Sequence, residues 1–186
     1  METTLRWTSA DLELLPDDGK RYEIIDGELY MSRQPHWHHQ GTCGNIYRLL
    51  QDWSLKNKTG LTVFAPGIIF AGDDDVAPDV VWISNERMKT ALEDDGKLHS
   101  APELAIEVVS RGFENERRDR EVKLKLYSRR GVSEYWIADW RNKKLEVFRR
   151  ENAELKLIAT LFVEDSLETP LLPNFKCSVS EIFQGV

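Results

Sequence analysis

Apolar and polar positions follow two different rhythms along this chain. Near the start, Leu12 and Leu15 repeat on one side, Thr8 or Ser9 offers a cap and Pro16 stops the run, which predicts a short helix. RYEIIDGELYMS then places Asp26-Gly27 between two β-rich runs. A type I′ turn needs positive φ at both centre residues, so this string predicts a hairpin. Over residues 39–56, Ile46, Leu49, Leu50 and Trp53 recur at helical spacing. After Gly60 the rhythm becomes that of strands: LTVFA and GIIFA split by Pro66-Gly67, a loop over residues 73–75, and VAPDVVWIS. A short helix over 85–92 and a loop lead to LAIEVVS, the most interior-looking strand. One helix is expected over 114–130, with Gly131 as its stop. VSEYWIAD, KLEVFRR and LKLIATLFV read as further strands, followed by a connector and a last short helix over 180–183.

This order favours a mixed sheet with helices against its faces. A length of 186 residues fits one domain, 1–186, and the 41% hydrophobic share is enough for a core. The N-terminus lacks an apolar segment of signal-peptide length, and no run approaches the roughly 18 apolar residues of a membrane helix. Cys43 and Cys177 stand far apart and outside metal-ligand spacing. A reduced, cytoplasmic protein is therefore expected. The net charge of −7 argues against a large nucleic-acid-coating surface. It leaves room for a compact basic patch among Arg111, Arg117, Arg118, Arg120, Lys123, Lys125, Arg129 and Arg130. Glu114, Glu116, Asp119 and Glu121 interleave with these, so an ion-paired, solvated helix face is the plain alternative.

Two carboxylates change the picture. In LAIEVVS, alternation puts Leu104, Ile106 and Val108 on one face and Ala105, Glu107 and Val109 on the other. A carboxylate in such a strand must be neutral, paired or cation-bound. A structural ion pair satisfies Glu107 as well as a metal would. Asp79 enters the neighbouring apolar run VVWIS directly after Pro78, and alone it reads as a strand-end residue. Together the two make an oxygen-rich pair suited to a hard divalent cation such as Mg²⁺. On the following helix Asp119, Lys123 and Tyr127 share a face at i, i+4 spacing. Lys123 can thus point at the sheet with Asp119 or Tyr127 orienting it, although a Lys on a charged helix is ordinarily solvated. His36, His38 and His39 form a cluster, but no standard zinc spacing accompanies it and the cysteines do not assist. His39 reads instead as a helix-start residue reaching a cleft.

The strings YEIIDGELYMS, His39-Gln40 opening a helix, APDVVWIS, APELAIEVVS, KLKLY and GVSEYWIAD, in this order, resemble the Uma-two family over about residues 8–185. This is a bacterial family classed with restriction endonucleases, and it looks like a branch of the PD-(D/E)xK nuclease superfamily. The resemblance implies a restriction-endonuclease-like α/β (α+β) fold with an N-terminal β-hairpin. It implies that Pro78-Asp79 is the PD element and Glu107 the second acid. The usual Lys two positions later is absent, since Val109 stands there, and its role falls to Lys123. Glu23 and His39 match recurrent family positions with an accessory role. Ser110-Arg111 departs from the Ser-Pro common there. The resulting expectation is a Mg²⁺- or Mn²⁺-dependent endonuclease. Asp79, Glu107 and the Val108 backbone carbonyl would hold the metal, and the substrate would be nucleic acid, DNA before RNA, met by a homodimer. A nuclease-fold binding module without catalysis, and a hydrolase of small phosphoesters, are the rivals.

Overall fold

The computed structural model describes residues 5–32 and 34–186. Residues 1–4, which begin the stretch read as lacking a signal peptide, lie outside the described residues. Helix α1 is a single turn, Ser9–Leu12. Strands β1 (Arg21–Ile25) and β2 (Glu28–Ser32) form the expected hairpin, with φ of 53° at Asp26 and 74° at Gly27. Helix α2, Trp37–Asn57, follows and buries His39, Cys43, Ile46, Leu50 and Trp53, so its apolar stripe extends back to the histidine.

Six strands make the central sheet: β3 (Gly60–Phe64), β6 (Val80–Ser84), β7 (Leu104–Val108), β8 (Glu134–Asp139), β9 (Lys144–Glu151) and β10 (Glu154–Leu161). Their order is β10-β9-β8-β7-β6-β3. Only β7 and β8 pair in parallel; the other neighbours are antiparallel. A parallel pair needs a long crossover, and here the helical segment between the two strands supplies it. Strands β4 (Ile68–Ala71) and β5 (Asp74–Val76) join the hairpin in a second sheet of order β2-β1-β5-β4. Asp74 and Asp75, expected in a loop, are therefore buried strand residues. Arg129 and Arg130 neutralise Asp74, and the Asp26 N–H donates to it at 2.8 Å. Those partners are distant in sequence, so the local run of acids conceals them.

The two faces of the central sheet carry separate cores. Val80, Trp82, Ile106, Val108 and Trp136 pack with α2 and with α6 (Val179–Ile182). Val81, Ala105, Val109, Tyr135 and Ile137 pack with Leu126, Tyr127 and the small sheet. Each fully buried large side chain here contributes roughly 1.5–3 kcal/mol. A small hairpin of β11 (Ser166–Glu168) and β12 (Lys176–Ser178) occupies the expected connector. Strands of three residues are too short to show alternation in sequence.

The helix expected over 114–130 is present without a break over 113–130, but it is not α-helical throughout. After α3 (Asn85–Ala91), the chain forms α4 (Phe113–Arg117), a π-helical turn (Arg118–Val122) and α5 (Lys123–Arg130). The Lys123 N–H bonds the Arg118 carbonyl, five residues back, so Lys123 sits one widened turn beyond Arg118. Arg118, Asp119, Lys123 and Tyr127 are all buried as a result. Gly131 ends α5 at φ 92°, as its position in sequence predicted.

Candidate active site

The end of β7, the entry to β6, the hairpin, the start of α2 and the π-helical turn converge on a cavity of about 240 Å³. Val80 pairs with Ile106, so Asp79, one residue earlier, stands across from Glu107. Both carboxylates line the cavity, with Glu23, Asp119 and Lys123.

The Lys123 ammonium donates to Glu107 Oε1 at 2.8 Å and to Glu23 Oε1 at 2.9 Å. The Tyr127 hydroxyl also donates to Glu107 Oε1, at 2.9 Å. Tyr127 therefore fixes the carboxylate and not, as the shared helix face suggested, the lysine. Asp119 makes no hydrogen bond to Lys123 among the described contacts; it acts on the lysine through its charge. Its Oδ1 is buried without a hydrogen-bond partner, 3.6 Å from Arg118 Nε. Asp79 Oδ2 accepts from the Val108 N–H at 2.9 Å and meets His39 Nε2 at 3.3 Å, while Arg21 approaches Oδ1 at 3.7 Å. Glu23 accepts from the Ala77 N–H.

Four buried carboxylates, Glu23, Asp79, Glu107 and Asp119, thus face two buried permanent cations, Arg118 and Lys123. The electrostatics follow from that imbalance. Burial, opposed by Lys123 but reinforced by Asp79, Asp119 and Glu23, pushes Glu107 up to about 8. Burial likewise pushes Asp119 up to about 6 against Lys123 and Arg118. Burial would raise Glu23 too, yet Lys123 and Arg118 outweigh it and hold Glu23 below the usual carboxylate range. Burial also opposes the charge on Asp79, but the His39 hydrogen bond and charge and the Val108 N–H keep its pKa low. Burial would lower Lys123, but Glu107, Glu23 and Asp119 reverse this and keep it protonated. A cluster that retains a proton for want of positive charge has the donor set of a divalent-cation site: hard oxygens, one of them without a partner.

The remaining expected residues divide. His36 stacks on Trp140 at 4.8 Å, and His38 meets the same ring edge-on, so neither joins the acids. His99 pairs with Asp95 away from the cavity. Asp139, at the end of β8, is buried and serves the following turn, accepting from the Arg141 and Asn142 N–H groups and from the Asn142 and Arg120 side chains. Lys125 is exposed. Cys43, expected to take no part, lies with its Sγ 3.6 Å from His39 Nδ1, and the ligand atoms of His39, Cys43 and Asp79 fall within 4.8 Å of one another. One helical turn separates His39 from Cys43, a spacing that no second His-Cys pair marks in the sequence. Burial pushes the Cys43 thiol far up, which favours its neutral, poorly ligating form. Arg118 and Arg21 were also missed as site residues. Arg118 sits in a run of charged residues with no apolar neighbour to mark it as buried.

The family model described as Uma2, "Putative restriction endonuclease", matches residues 9–180. The chain belongs to this family. No curated protein matches it. Among solved structures, a protein described as a putative nuclease belonging to DUF820, from Anabaena variabilis, superposes with a TM-score of 0.74 at 16% identity. The match covers 95% of this Uma2 chain and 97% of that one. At that identity the likeness establishes the fold, a mixed sheet flanked by helices. Among the described residues, no helix is long and apolar enough to cross a membrane.

Proposed function

We propose that this Uma2 protein hydrolyses phosphodiester bonds of nucleic acid, DNA in preference to RNA, at the Asp79–Glu107–Lys123 cluster with Mg²⁺ or Mn²⁺. The observation that carries the proposal is the excess of buried carboxylate around one buried lysine, in a chain of a restriction-endonuclease family. Asp79, Glu107 and the Val108 carbonyl would hold the metal, which supplies Lewis acidity and an activated water when bound. Lys123, tied to Glu107 and Glu23, carries the positive charge that meets the attacking water and the phosphoryl oxygens. Glu23 fixes the lysine, Tyr127 fixes Glu107 and His39 orients Asp79. Arg118 stands ready to offset phosphate charge. All these side chains come from one chain, so the expected homodimer is not needed to assemble them. Two free, buried cysteines suit a reducing cytoplasm.

The test is a cleavage assay with Mn²⁺ on single-stranded and duplex DNA. Asp79→Asn, Glu107→Gln and Lys123→Met should each reduce the rate by about 10²-fold or more, and Lys125→Ala should leave it unchanged. Lys123→Arg should rescue poorly, because a guanidinium is larger and differently shaped. The binding-module alternative draws support from the clamp that already engages Lys123 on both sides. It prevails if the wild type cleaves nothing across a broad panel while still binding DNA.

A further inference from the structure

A second cavity, of about 450 Å³, adjoins the first and shares Ser32, His39, Ser110 and Arg118 with it. Its volume falls within the roughly 300–1,000 Å³ of small-ligand sites. Its chemistry is opposite. Among the described residues, no carboxylate lines it; Arg111, Arg118, Asn115 and His36 do. On its wall His36 lies 4.8 Å from Trp140 at an interplanar angle of 9°, and the Arg111 guanidinium is 5.3 Å from the same indole. Arg111 is exposed and makes no ion pair among the described residues. Arg118 is 7% exposed, donates to Ser32 Oγ, and has a buried Nε without a hydrogen bond, 3.6 Å from Asp119 Oδ1 behind the cavity wall. Two large aromatics, Trp37 at 81% exposure and Phe113 at 79%, stand beside these wall residues in the chain. An acid-free, arginine-bearing cavity with an aromatic stack is the combination by which single strands are held, charge following the backbone and rings receiving the bases.

We propose that this second cavity is the subsite for the nucleotide flanking the scissile phosphate of a single-stranded or locally unpaired substrate, its base against the half-buried His36 ring that is braced from behind by the buried Trp140, and its phosphate on Arg111 and Arg118. The proposal rests on the hydrolase reading for the word scissile; the binding of a nucleotide does not. The subsite would also explain how an acidic protein holds a polyanion. The like-charged cavity is confined to the reacting phosphate, and the contact is made next door.

Binding is measured by fluorescence anisotropy of a labelled single-stranded DNA oligonucleotide without divalent metal. The variants are Arg111→Ala, at an exposed position, and His36→Asn, which removes the ring but keeps an acceptor at the start of α2, where His36 accepts from the His38 N–H. Each should weaken binding about tenfold, whereas Arg117→Ala, ion-paired on the outer face, should not. An oligonucleotide series with a single abasic position should contain one that binds wild type about tenfold more weakly and His36→Asn no more weakly than the intact strand. Unchanged affinity in both variants, an equal abasic penalty in wild type and His36→Asn, or no binding by wild type would each overturn the subsite. Mn²⁺-dependent cleavage of the same strand is scored separately. Cleavage with unaffected binding removes the subsite and leaves the hydrolase. Binding as expected from a wild type that cleaves nothing removes the hydrolase and leaves the subsite.

Discussion

Two groups of acids lean on the same helix, and they are balanced differently. At the C-terminal end of α5, Asp74 receives Arg129, Arg130 and a backbone N–H, while Asp26 shares Arg129 and Asp73 pairs with Arg6. At its N-terminal end, Glu107, Glu23, Asp79 and Asp119 share Lys123 and Arg118. The first cluster has the positive charge it needs, Arg6, Arg129 and Arg130 against Asp26, Asp73 and Asp74, and ties helix to sheet. The second has less, and retains a proton on Glu107 up to about pH 8. A structural ion pair removes its own imbalance; a persistent buried excess of one sign marks a place meant for a counter-charge from outside.

The contrast breaks most sharply at Lys123. Lys123→Met should destabilise the metal-free protein at pH 8 by about 3–5 kcal/mol, the usual loss on leaving a buried charge unpaired. Lowering the pH toward 6, where the acids protonate, or adding Mn²⁺ should restore part of that. A melting temperature insensitive to both would remove the claim of acid excess. Asp74→Ala should lose about 2 kcal/mol, less because its arginines reach solvent, and neither acid nor Mn²⁺ should recover it.

Glu107→Gln should act in the other direction. The native pKa of Glu107, about 8, lies above its ordinary value of 4.5. Its contribution to stability is therefore full below about pH 4.5 and is lost as pH rises toward 8. The variant should melt above wild type at pH 8 without metal, and the difference should vanish near pH 4. It should also lose the increase in melting temperature that Mn²⁺ gives wild type, an increase that itself grows with pH up to about 8. Equal melting of the two proteins at pH 8 would count against the proton on Glu107. The smallest effect belongs to Lys125→Ala, within about 0.5 kcal/mol of wild type.

Much of this was legible along the chain. The hairpin, α2, the interior strand and Gly131 follow from local turn chemistry and periodicity. Asp79 and Glu107 stood out because carboxylates interrupt apolar runs, and Lys123 because its i, i+4 neighbours implied an inward face. What stayed hidden depends on distance in sequence. Asp74 looked like loop because its arginines lie 55 and 56 residues away. Arg118 looked solvated because burial there comes from β2, whose Ser32 lies 86 residues back. The π-helical turn was invisible because one extra residue per turn leaves the charge pattern of an ordinary helix intact.

That turn gives the segment two phases. Upstream of Val122 the side chains follow one angular register, and downstream another, offset by one residue, or about 100° of rotation. The downstream phase is fixed by Leu126 and Tyr127 in the core and cannot drift without unpacking it. The upstream phase is carried by Arg118 and Asp119, held instead by polar contacts, Arg118 to Ser32 and the Asp119 carbonyl to the Tyr135 hydroxyl, so it is a dial set by hydrogen bonds on a shaft locked by packing. Deleting one residue from 118–122 would restore a single α-helical phase, swing that dial away from the cavity, and leave Lys123 on Glu107. Changes in this one turn could thus retune how the site greets phosphate without disturbing the lysine.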